Sequence, residues 1–333
     1  MKLFCEGYLK KSKNEKIILI TGPTGTGKSE WAVKLGTIVR ERGQECGIIN
    51  FDSMCFYREL SIGTAKPDIR MRQKIEHFMV DIASINNEMN AFAFCQQAKE
   101  IMAQLSDQGK CIILVGGSPF YIRALMKGMF RSDRLSAEMK ASLQKVYEQQ
   151  GIAPYLDYLK IFDPESLKRL HVNDHYRLRR AVEYNIATEK PISAEHSEFQ
   201  EIDPYDFSRN QFPEKDLLHF YFDIPKEEHW KILKQRSRSM IEQGMVAELQ
   251  NLLGNGYSGE ERPLQSVGYK EALAYLRGEI RDLDDLIEQI FISTRQLAKT
   301  QRTFFKRITP KITVHPLVDS PTILKTLYDF MQA

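Results

Sequence analysis

The chain has 333 residues, of which 42% are hydrophobic and 27% charged, and this fits a soluble globular protein with a large core and more than one structural unit. No apolar run approaches the length of a membrane span, and the N-terminal segment lacks the apolar stretch of a secretory signal. The five cysteines are scattered without CxxC pairs, so we expect a cytoplasmic protein with reduced thiols and no structural zinc. The net charge of +3 indicates no class of partner by itself.

The first recognisable feature along the chain is a phosphate loop. Residues 22–29 read GPTGTGKS, which matches G-x-x-x-x-G-K-[ST] and follows the apolar run at 17–20. In a strand–loop–helix unit, the backbone N–H groups of the loop and the helix N-terminus converge on a polyphosphate, while Lys28 and Ser29 serve its charge and its Mg²⁺. A Gly-rich turn is the alternative, and the flanking strand and helix disfavour it. We therefore predict binding of a di- or triphosphate.

The region around this loop alternates two kinds of segment. Apolar runs at residues 17–21, 47–51 and 111–115 alternate with helical stretches at 28–41 and 91–107. This alternation predicts an α/β fold with a parallel sheet flanked by helices, and the phosphate loop makes it similar to the P-loop NTPases.

The rest of the chain is mainly helical. Residues 131–188 are charged and lack a strand-like run, whereas residues 218–223 are predicted to form a strand that would return the chain to the sheet. Residues 226–254 and 267–307 are helical again. The predicted domains are residues 1–129, the first part of the P-loop α/β core; 130–195, an inserted all-helical domain; and 196–333, the return to the core with C-terminal helices.

Two strand ends supply candidate polar groups. The run at 111–115 ends in Gly116-Gly117-Ser118 without a carboxylate, which counts against an ordinary ATPase, whereas the run at 47–51 ends in Asp52. Because ligands of open parallel sheets bind outside the carboxyl ends of the strands, Asp52, Ser118 and the phosphate loop should share one crevice. Asp52 is the best carboxylate for chemistry, and a Mg²⁺ ligand or a helix cap are its alternatives.

Basic residues are concentrated in two segments. Residues 166–180 contain five basic side chains against one acid, and residues 291–307 contain five and no acid. Four of the latter fall on one face of a helix: Arg295, Lys299, Arg302 and Lys306. Three apolar residues can then face a core: Leu297, Phe304 and Phe305. A solvated face usually mixes signs, so this basic face favours contact with a nucleic-acid backbone.

Six segments carry a resemblance to a known family. They are GPTGTGKS (22–29), FDSM with FYRELSIGTAKP (51–67), VGGSPFYIRAL (115–125), DPESLKRLHVNDHYRLRRAVE (163–183), QSVGYKEALAYL (265–276) and STRQLAKTQRTFF (293–305). In this order, and over most of the chain from residue 17 to 307, they resemble the tRNA dimethylallyltransferases, the bacterial-type tRNA isopentenyltransferase family.

The resemblance implies transfer of a dimethylallyl group from its diphosphate to N6 of the adenosine 3′-adjacent to the anticodon. Because an adenine amino group is a weak nucleophile, the bond to diphosphate must loosen in the transition state, and donors on the diphosphate would stabilise the leaving charge. Asp52 would accept the amine proton as general base, together with Lys28 and Ser29 as catalytic residues. The implied diphosphate site comprises Gly22, Pro23, Thr24, Gly25, Thr26, Gly27, Lys28, Ser29 and Lys226, with the cofactor Mg²⁺ held partly by Ser29.

The resemblance also implies that the helical insertion and the C-terminal helices bind the anticodon stem-loop of tRNA. Near the reacting base, the implied contacts are Asp52, Ser53, Met54, Cys55 and Ser118. On the insertion they are Lys140, Tyr176, Arg177, Leu178, Arg179 and Arg180. On the C-terminal helices they are Gln265, Ser266, Val267, Gly268, Tyr269, Lys270, Lys299, Thr300, Gln301, Arg302, Thr303, Phe304, Phe305 and Lys306. The expected partners are tRNA and dimethylallyl diphosphate without a membrane, and the expected state is a monomer.

The chain departs from the family at three notable positions. Cys55 stands where the family has glutamine, and Lys226 and Ile232 align with two family arginines near the diphosphate. Lys226 keeps a charge without the fork of a guanidinium, and Ile232 keeps neither. Arg236 or Lys231 could compensate from neighbouring helical turns.

Two alternative functions remain open. A phosphate-loop kinase for a nucleotide or small molecule would turn over ATP and would not need the basic helices. A tRNA-binding relative with weakened or lost transfer is suggested by Cys55 and Ile232.

Overall fold

The structure is a computed structural model that describes residues 15–129, 135–194 and 203–333. The chain divides into two compact units, one formed by Met1–Gly128 with Tyr205–Ala333 and the other by Met129–Pro204. The first unit contains the sheet, and the second is helical in its described residues.

A parallel sheet of six strands forms the centre of the first unit, in the order β3-β2-β4-β1-β5-β6. The predicted α/β fold is thereby confirmed. The strands are β1 (Glu15–Thr21), β2 (Cys46–Asn50), β3 (His77–Phe78), β4 (Cys111–Val115), β5 (Lys215–Phe222) and β6 (Ile312–Val314). The short edge strands β3 and β6 were not predicted, because two or three residues leave no readable alternation.

The sheet is covered by helices on both faces, which explains why β2 and β4 are buried along their whole length. The helices of this unit are α1 (Lys28–Glu41), α2 (Ile69–Lys74), α3 (Ala91–Asp107), α4 (Pro119–Lys127), α9 (Lys226–Glu242), α10 (Met245–Gly254), α11 (Tyr269–Leu276), α12 (Leu283–Phe305) and α13 (Ser320–Gln332). Phe220 and Phe222 of β5 are fully buried and are core residues.

The two long helical stretches predicted after β5 are each divided. Gly244, with a φ of 96°, separates α9 from α10 in a left-handed conformation that favours glycine. Residues 267–307 split into α11 and α12, and the Asp282 side chain caps α12 by accepting a hydrogen bond from the Asp285 N–H.

The helical unit consists of α5 (Ala137–Gln150), α6 (Ala153–Phe162), α7 (Pro164–Arg169) and α8 (His175–Thr188). Its own core includes Tyr155 and Leu159 of α6 with Leu178 and Val182 of α8. Across the described part of the chain, no helix is both long and apolar enough to cross a membrane.

A buried histidine lies beside the strand that leads into the phosphate loop. His219 of β5 places Nε2 2.7 Å from Thr21 Oγ1 and Nδ1 3.2 Å from the Pro310 carbonyl oxygen. Since a carbonyl only accepts, Nδ1 carries the proton and Nε2 accepts from the Thr21 hydroxyl. Burial lowers the pKa of His219 from 6.5 to about 3.

This histidine should make the protein less stable in acid. Below pH 6.5, His219 binds a proton in the unfolded chain, but in the folded protein it stays neutral down to about pH 3. The free energy of unfolding therefore falls as the pH falls. The limiting slope is about 1.4 kcal/mol per pH unit. His219→Gln should flatten this dependence in urea unfolding measured from pH 7 down to about pH 4, whereas the exposed His171→Gln should not. Equal slopes for His219→Gln and the unsubstituted protein would contradict the assignment.

Candidate active site

The phosphate loop lies between β1 and α1 and has the conformation that its glycines permit. Gly22 has a φ of 152°, and a Cβ there would lie 2.5 Å from the Phe222 carbonyl oxygen. Gly25 has a φ of 78°, and a Cβ there would lie 2.7 Å from Leu233 Cδ2 of α9. Side chains at these two positions would therefore collide with the neighbouring strand and helix.

Lys28 is the first residue of α1 and lies in the site. Its Nζ donates to the Pro23 carbonyl oxygen at 2.7 Å, and Thr26 Oγ1 donates to the same oxygen at 2.9 Å. Burial lowers the pKa of Lys28 to about 8, although the carboxylate of Asp52 acts in the opposite direction. The side chain is thus charged at neutral pH and suited to a polyphosphate.

Asp52 lies directly after β2 and is held from both sides. Its N–H donates to Asn50 Oδ1 at 3.0 Å, while Asn50 Nδ2 donates to the Asp52 carbonyl oxygen at 3.0 Å. Its Oδ1 accepts from the Met54 N–H at 3.3 Å, so Asp52 also caps a short 3₁₀ helix, Ser53–Phe56. Within the described residues, no donor forms a hydrogen bond with Oδ2, which leaves one carboxylate oxygen for a ligand.

A cavity of about 960 Å³ opens from the loop. The residues from Thr24 to Ser29 and Asp52 line it, while Gly22 and Pro23 are not among its lining residues. Its lining also includes the apolar side chains of Ile62, Met71 and Ile232. A cavity that combines polar groups with apolar side chains suits a ligand with a charged head and a hydrocarbon tail.

The sequence offered Arg236 or Lys231 as compensation for the missing arginine; both line this cavity, and Arg236 supplies its guanidinium. It lies on α9 one turn after Ile232, and both side chains line the cavity. Burial lowers the pKa of Arg236, and the carboxylate of Asp52 counteracts that effect. Lys226 is placed differently from the expectation, because it is exposed at the start of α9 with Nζ 4.7 Å from the ring centroid of Trp230.

A second cavity of about 480 Å³ adjoins the first. It brings together four of the five residues that the sequence assigned to the region of the reacting base: Asp52, Ser53, Met54 and Ser118. Six of the residues assigned to the C-terminal helices also line it: Gln265, Ser266, Val267, Gly268, Lys270 and Gln301. Ser118 Oγ accepts from the Ser53 N–H at 3.0 Å, which joins the loop after β4 to the loop after β2. Cys55 lines the first cavity instead, where burial raises its pKa and keeps it a neutral thiol.

Five residues line both cavities: Thr24, Asp52, Thr64, Arg236 and Met240. Asp52 is the only carboxylate among them. The two cavities therefore meet at the carboxylate that follows β2, with the phosphate loop on one side and the Ser53–Ser118 contact on the other.

Several residues predicted to contact tRNA have buried side chains. Leu178, Tyr269, Gln301 and Phe305 are buried, and we correct the expectation that their side chains face RNA. Tyr269 donates its hydroxyl hydrogen to Glu248 at 2.5 Å. Gln301 accepts from the Thr24 N–H at 2.8 Å and donates to the Gly117 carbonyl oxygen at 2.7 Å.

The predicted basic face of α12 is narrower than expected. Lys299, Thr300, Thr303 and Lys306 are exposed. Arg302 instead turns inward, and its Nε donates to Asp223 Oδ1 at 2.8 Å. Arg295 lies 4.3 Å from the ring centroid of Trp230. Of the apolar residues, Phe305 is buried and Phe304 packs 5.2 Å from the ring centroid of Tyr205, whereas Leu297 is 38% exposed rather than in a core.

The helical unit keeps an exposed polar surface on α8 and α5. Tyr176, Arg177 and Lys140 are exposed. Arg179 Nη2 donates to Gln144 Oε1 at 2.5 Å, and Arg180 Nη1 donates to Glu183 Oε2 at 2.5 Å.

The sequence signals for two further site residues were weak. Asn50 ends β2 two residues before Asp52, a position from which a side chain can accept the Asp52 N–H. His229 lies one turn before Leu233, the residue that faces Gly25, but a histidine amid charged residues carries no distinctive pattern.

Fold and site together define an α/β protein in which the cavity of a phosphate loop meets a second cavity at the Asp52 carboxylate. The sequence model of the IPP transferase family matches residues 55–308. The chain is 37% identical over 292 residues to tRNA dimethylallyltransferase 2 of Geotalea uraniireducens, covering 88% of this chain and 89% of that relative. The chain therefore belongs to the IPP transferase family.

Solved structures have the same fold. The tRNA isopentenylpyrophosphate transferase of Staphylococcus epidermidis is 26% identical, with a TM-score of 0.64 over 96% of this chain and 98% of that chain. A eukaryotic dimethylallyltransferase acting on tRNA is 24% identical, with a TM-score of 0.76 over 96% of this chain and 80% of that chain, and at this identity it supports the fold alone.

Arg236 should dominate binding of an anionic head in the first cavity. A charge-assisted contact contributes about 1.5–3 kcal/mol, so Arg236→Ala should weaken pyrophosphate binding about 10- to 100-fold in calorimetry. Arg238→Ala is the matched control, because Arg238 lies on the same helix and faces Asp284 at 4.0 Å. Equal affinities for Arg236→Ala and Arg238→Ala would exclude Arg236 from the anion site.

Proposed function

We propose that the protein transfers a dimethylallyl group from dimethylallyl diphosphate to N6 of the adenosine 3′-adjacent to the anticodon in tRNA. One observation supports this most strongly: Asp52 lines both the cavity of the phosphate loop and the adjoining cavity. A transferase needs its two substrates to meet at one point, and membership of the IPP transferase family agrees with that arrangement.

The diphosphate end would be stabilised as it leaves. In the proposed complex, the loop amides from Thr26 to Ser29, the Lys28 ammonium and the Arg236 guanidinium face the developing negative charge. The dimethylallyl group would lie toward Ile62 and Met71, whose apolar side chains would keep water from the allylic cation.

The acceptor adenine would enter the second cavity from a single-stranded loop, where leaving the stack costs least. The N6 nitrogen forms a bond to the allylic carbon as the carbon–oxygen bond to diphosphate breaks, and the N6 proton passes to Asp52. Oδ2 suits this role, because Oδ1 is occupied by the Met54 N–H. The hydrogen bond by which Asp52 caps the 3₁₀ helix therefore orients its carboxylate and leaves Oδ2 able to act as the general base.

Mg²⁺ is compatible with the residues of the loop. The described residues contain no group of three or more His, Cys, Asp or Glu that could hold a metal ion. Mg²⁺ nevertheless binds in nucleotide sites through one or two protein oxygens plus substrate phosphates, and the Ser29 hydroxyl lines the cavity. Bound there, the ion would neutralise charge on the diphosphate.

Exposed cations would bind the RNA backbone. Lys299 and Lys306 of α12 lie seven residues apart on the exposed face of that helix, and Tyr176, Arg177 and Lys140 offer a similar surface on the helical unit. We infer that this unit contacts the anticodon arm. We infer a monomer acting on tRNA in the cytoplasm.

Asp52→Asn tests the proposed base. Asparagine keeps the size and the capping acceptor but cannot take up a proton, so the single-turnover rate should fall about 100- to 10,000-fold while tRNA affinity is retained. The assay measures label from dimethylallyl diphosphate on unmodified tRNA, and nucleoside mass spectrometry locates it. Asp68→Asn removes a carboxylate from the rim of the same cavity and should stay near the original rate.

Three outcomes separate the alternatives for this site. Unchanged transfer by Asp52→Asn would remove Asp52 as the base. Turnover of ATP without labelled RNA would indicate a kinase. Salt-sensitive tRNA binding with no product at high enzyme concentration would indicate a tRNA-binding relative without transfer.

The α12 lysines should set the salt dependence of tRNA binding. Each phosphate contact adds about 0.7 to the magnitude of the slope of log affinity against log salt for single strands, so Lys299→Ala and Lys306→Ala should each lower it by about that amount. Binding is measured by fluorescence anisotropy over a salt series. Lys325→Ala on α13 is the control and should leave the slope unchanged; equal slopes for all three variants would contradict RNA contact by α12.

A further inference from the structure

The first residue of the phosphate loop to line the cavity, Thr24, is held at both of its backbone polar groups. Its carbonyl oxygen lies 2.8 Å from His229 Nε2 of α9, and its N–H donates to Gln301 Oε1 of α12 at 2.8 Å. Two helices distant in sequence therefore fix the two peptide groups on either side of the Thr24 Cα, where the loop enters the diphosphate cavity.

The direction of each hydrogen bond in this network follows from Arg302. A guanidinium only donates, and Arg302 Nη2 lies 3.0 Å from His229 Nδ1, so Nδ1 is the acceptor. Nε2 then carries the proton and donates to the Thr24 carbonyl oxygen. Burial lowers the pKa of His229, which agrees with a neutral ring.

Arg302 is itself anchored at the end of β5. Its Nε donates to Asp223 Oδ1 at 2.8 Å and its Nη2 to the Ile224 carbonyl oxygen at 3.2 Å. The side chains of Arg302 and Asp223 are 18% and 20% exposed, and Lys306 Nζ lies 3.4 Å from Asp223 Oδ2. The network Asp223–Arg302–His229 thus runs from β5 to Thr24.

We propose that Arg302 and His229 are positioning residues for the diphosphate: through the Thr24 carbonyl they fix the direction in which the loop amides point. The inference rests on the proposed function for the identity of the ligand. It replaces the expectation that Arg302 contacts tRNA, because its guanidinium is turned toward Asp223, Ile224 and His229.

The composition of the cavity explains why the loop needs this support. Ile232 occupies the position where the sequence resemblance places an arginine, so the wall there offers no charge to the ligand. Arg236, Lys231 and the loop itself must then hold the diphosphate. A loop whose amides carry more of the binding gains more from being preorganised.

The network is tested by three variants at two positions. Arg302→Leu and His229→Leu remove the hydrogen bonds, whereas His229→Gln keeps one amide acceptor for Arg302 and one amide donor for Thr24. The first measurement is calorimetric binding of inorganic pyrophosphate without tRNA. The second is the KM for dimethylallyl diphosphate and the KM for tRNA, each determined at saturation of the other substrate.

Arg302→Leu and His229→Leu should each weaken pyrophosphate binding about tenfold and raise the KM for dimethylallyl diphosphate by a similar factor, with the KM for tRNA unchanged. His229→Gln should recover most of this loss, which a purely space-filling role would not predict. The double variant should lose little more than either single one, because both act through one carbonyl. Lys299→Ala should show the reverse pattern, raising only the KM for tRNA.

Other results would overturn the inference. A raised KM for tRNA with normal pyrophosphate affinity in Arg302→Leu would show that Arg302 contacts RNA. Additive losses of pyrophosphate affinity in the double variant would show that Arg302 and His229 act independently. If the leucine variants do not fold, Arg302→Lys replaces them, because a lysine ammonium lacks the fork that donates to Asp223 and His229 together. Pyrophosphate binding weakened in Arg302→Lys and near normal in His229→Gln supports the network, whereas normal affinity in Arg302→Lys contradicts it. If the unsubstituted protein shows no prenyl transfer, the proposed function fails, while the pyrophosphate arm still decides the role of the network.

Discussion

The register of three central strands places the loops of this site next to one another. β4 pairs in parallel with both β1 and β2, so that Val115 is opposite Ile20 on one side and Asn50 on the other. The three strands therefore end at the same edge of the sheet, where the phosphate loop, Asp52 and the loop around Ser118 follow them. A shift of one residue in either pairing would turn the side chains at this edge to the opposite face.

The helices after β5 contribute the remaining side chains of the site. α9 contributes Arg236 and Leu233 to the loop, while α12 contributes Gln301, which links Thr24 to Gly117. In the proposed complex, these contacts would place the charged head of one substrate and the base of the other in separate cavities that meet at Asp52. That separation suits a weak nucleophile, since leaving-group stabilisation and proton removal act on opposite sides of the bond that forms. Helix α12, which carries Gln301, also exposes Lys299 and Lys306 to solvent.

The sequence predicted the parts of the site that depend on local pattern. The phosphate loop has a fixed spacing, the buried strands are apolar runs, and Asp52 follows one of them directly, so strand topology places it. The basic face of α12 was predicted too broadly, because the direction of a long side chain depends on acceptors from elsewhere in the chain. Arg302 shares a helix face with Lys299 but meets Asp223 and His229, which no spacing within α12 reveals. Lys226 was favoured by alignment alone, whereas α9 brings Arg236 to the cavity.

The central claim is that a diphosphate in the first cavity and a purine in the second meet at the Asp52 carboxylate. A crystal structure with the unreactive thiolo analogue of dimethylallyl diphosphate and an anticodon stem-loop RNA tests this most directly. We expect the diphosphate on the amides from Thr26 to Ser29, and the adenine N6 within hydrogen-bonding distance of Asp52 Oδ2 and in line with the allylic carbon. An adenine bound outside the second cavity, or an Asp52 side chain turned away from N6 with both substrates present, would contradict the account.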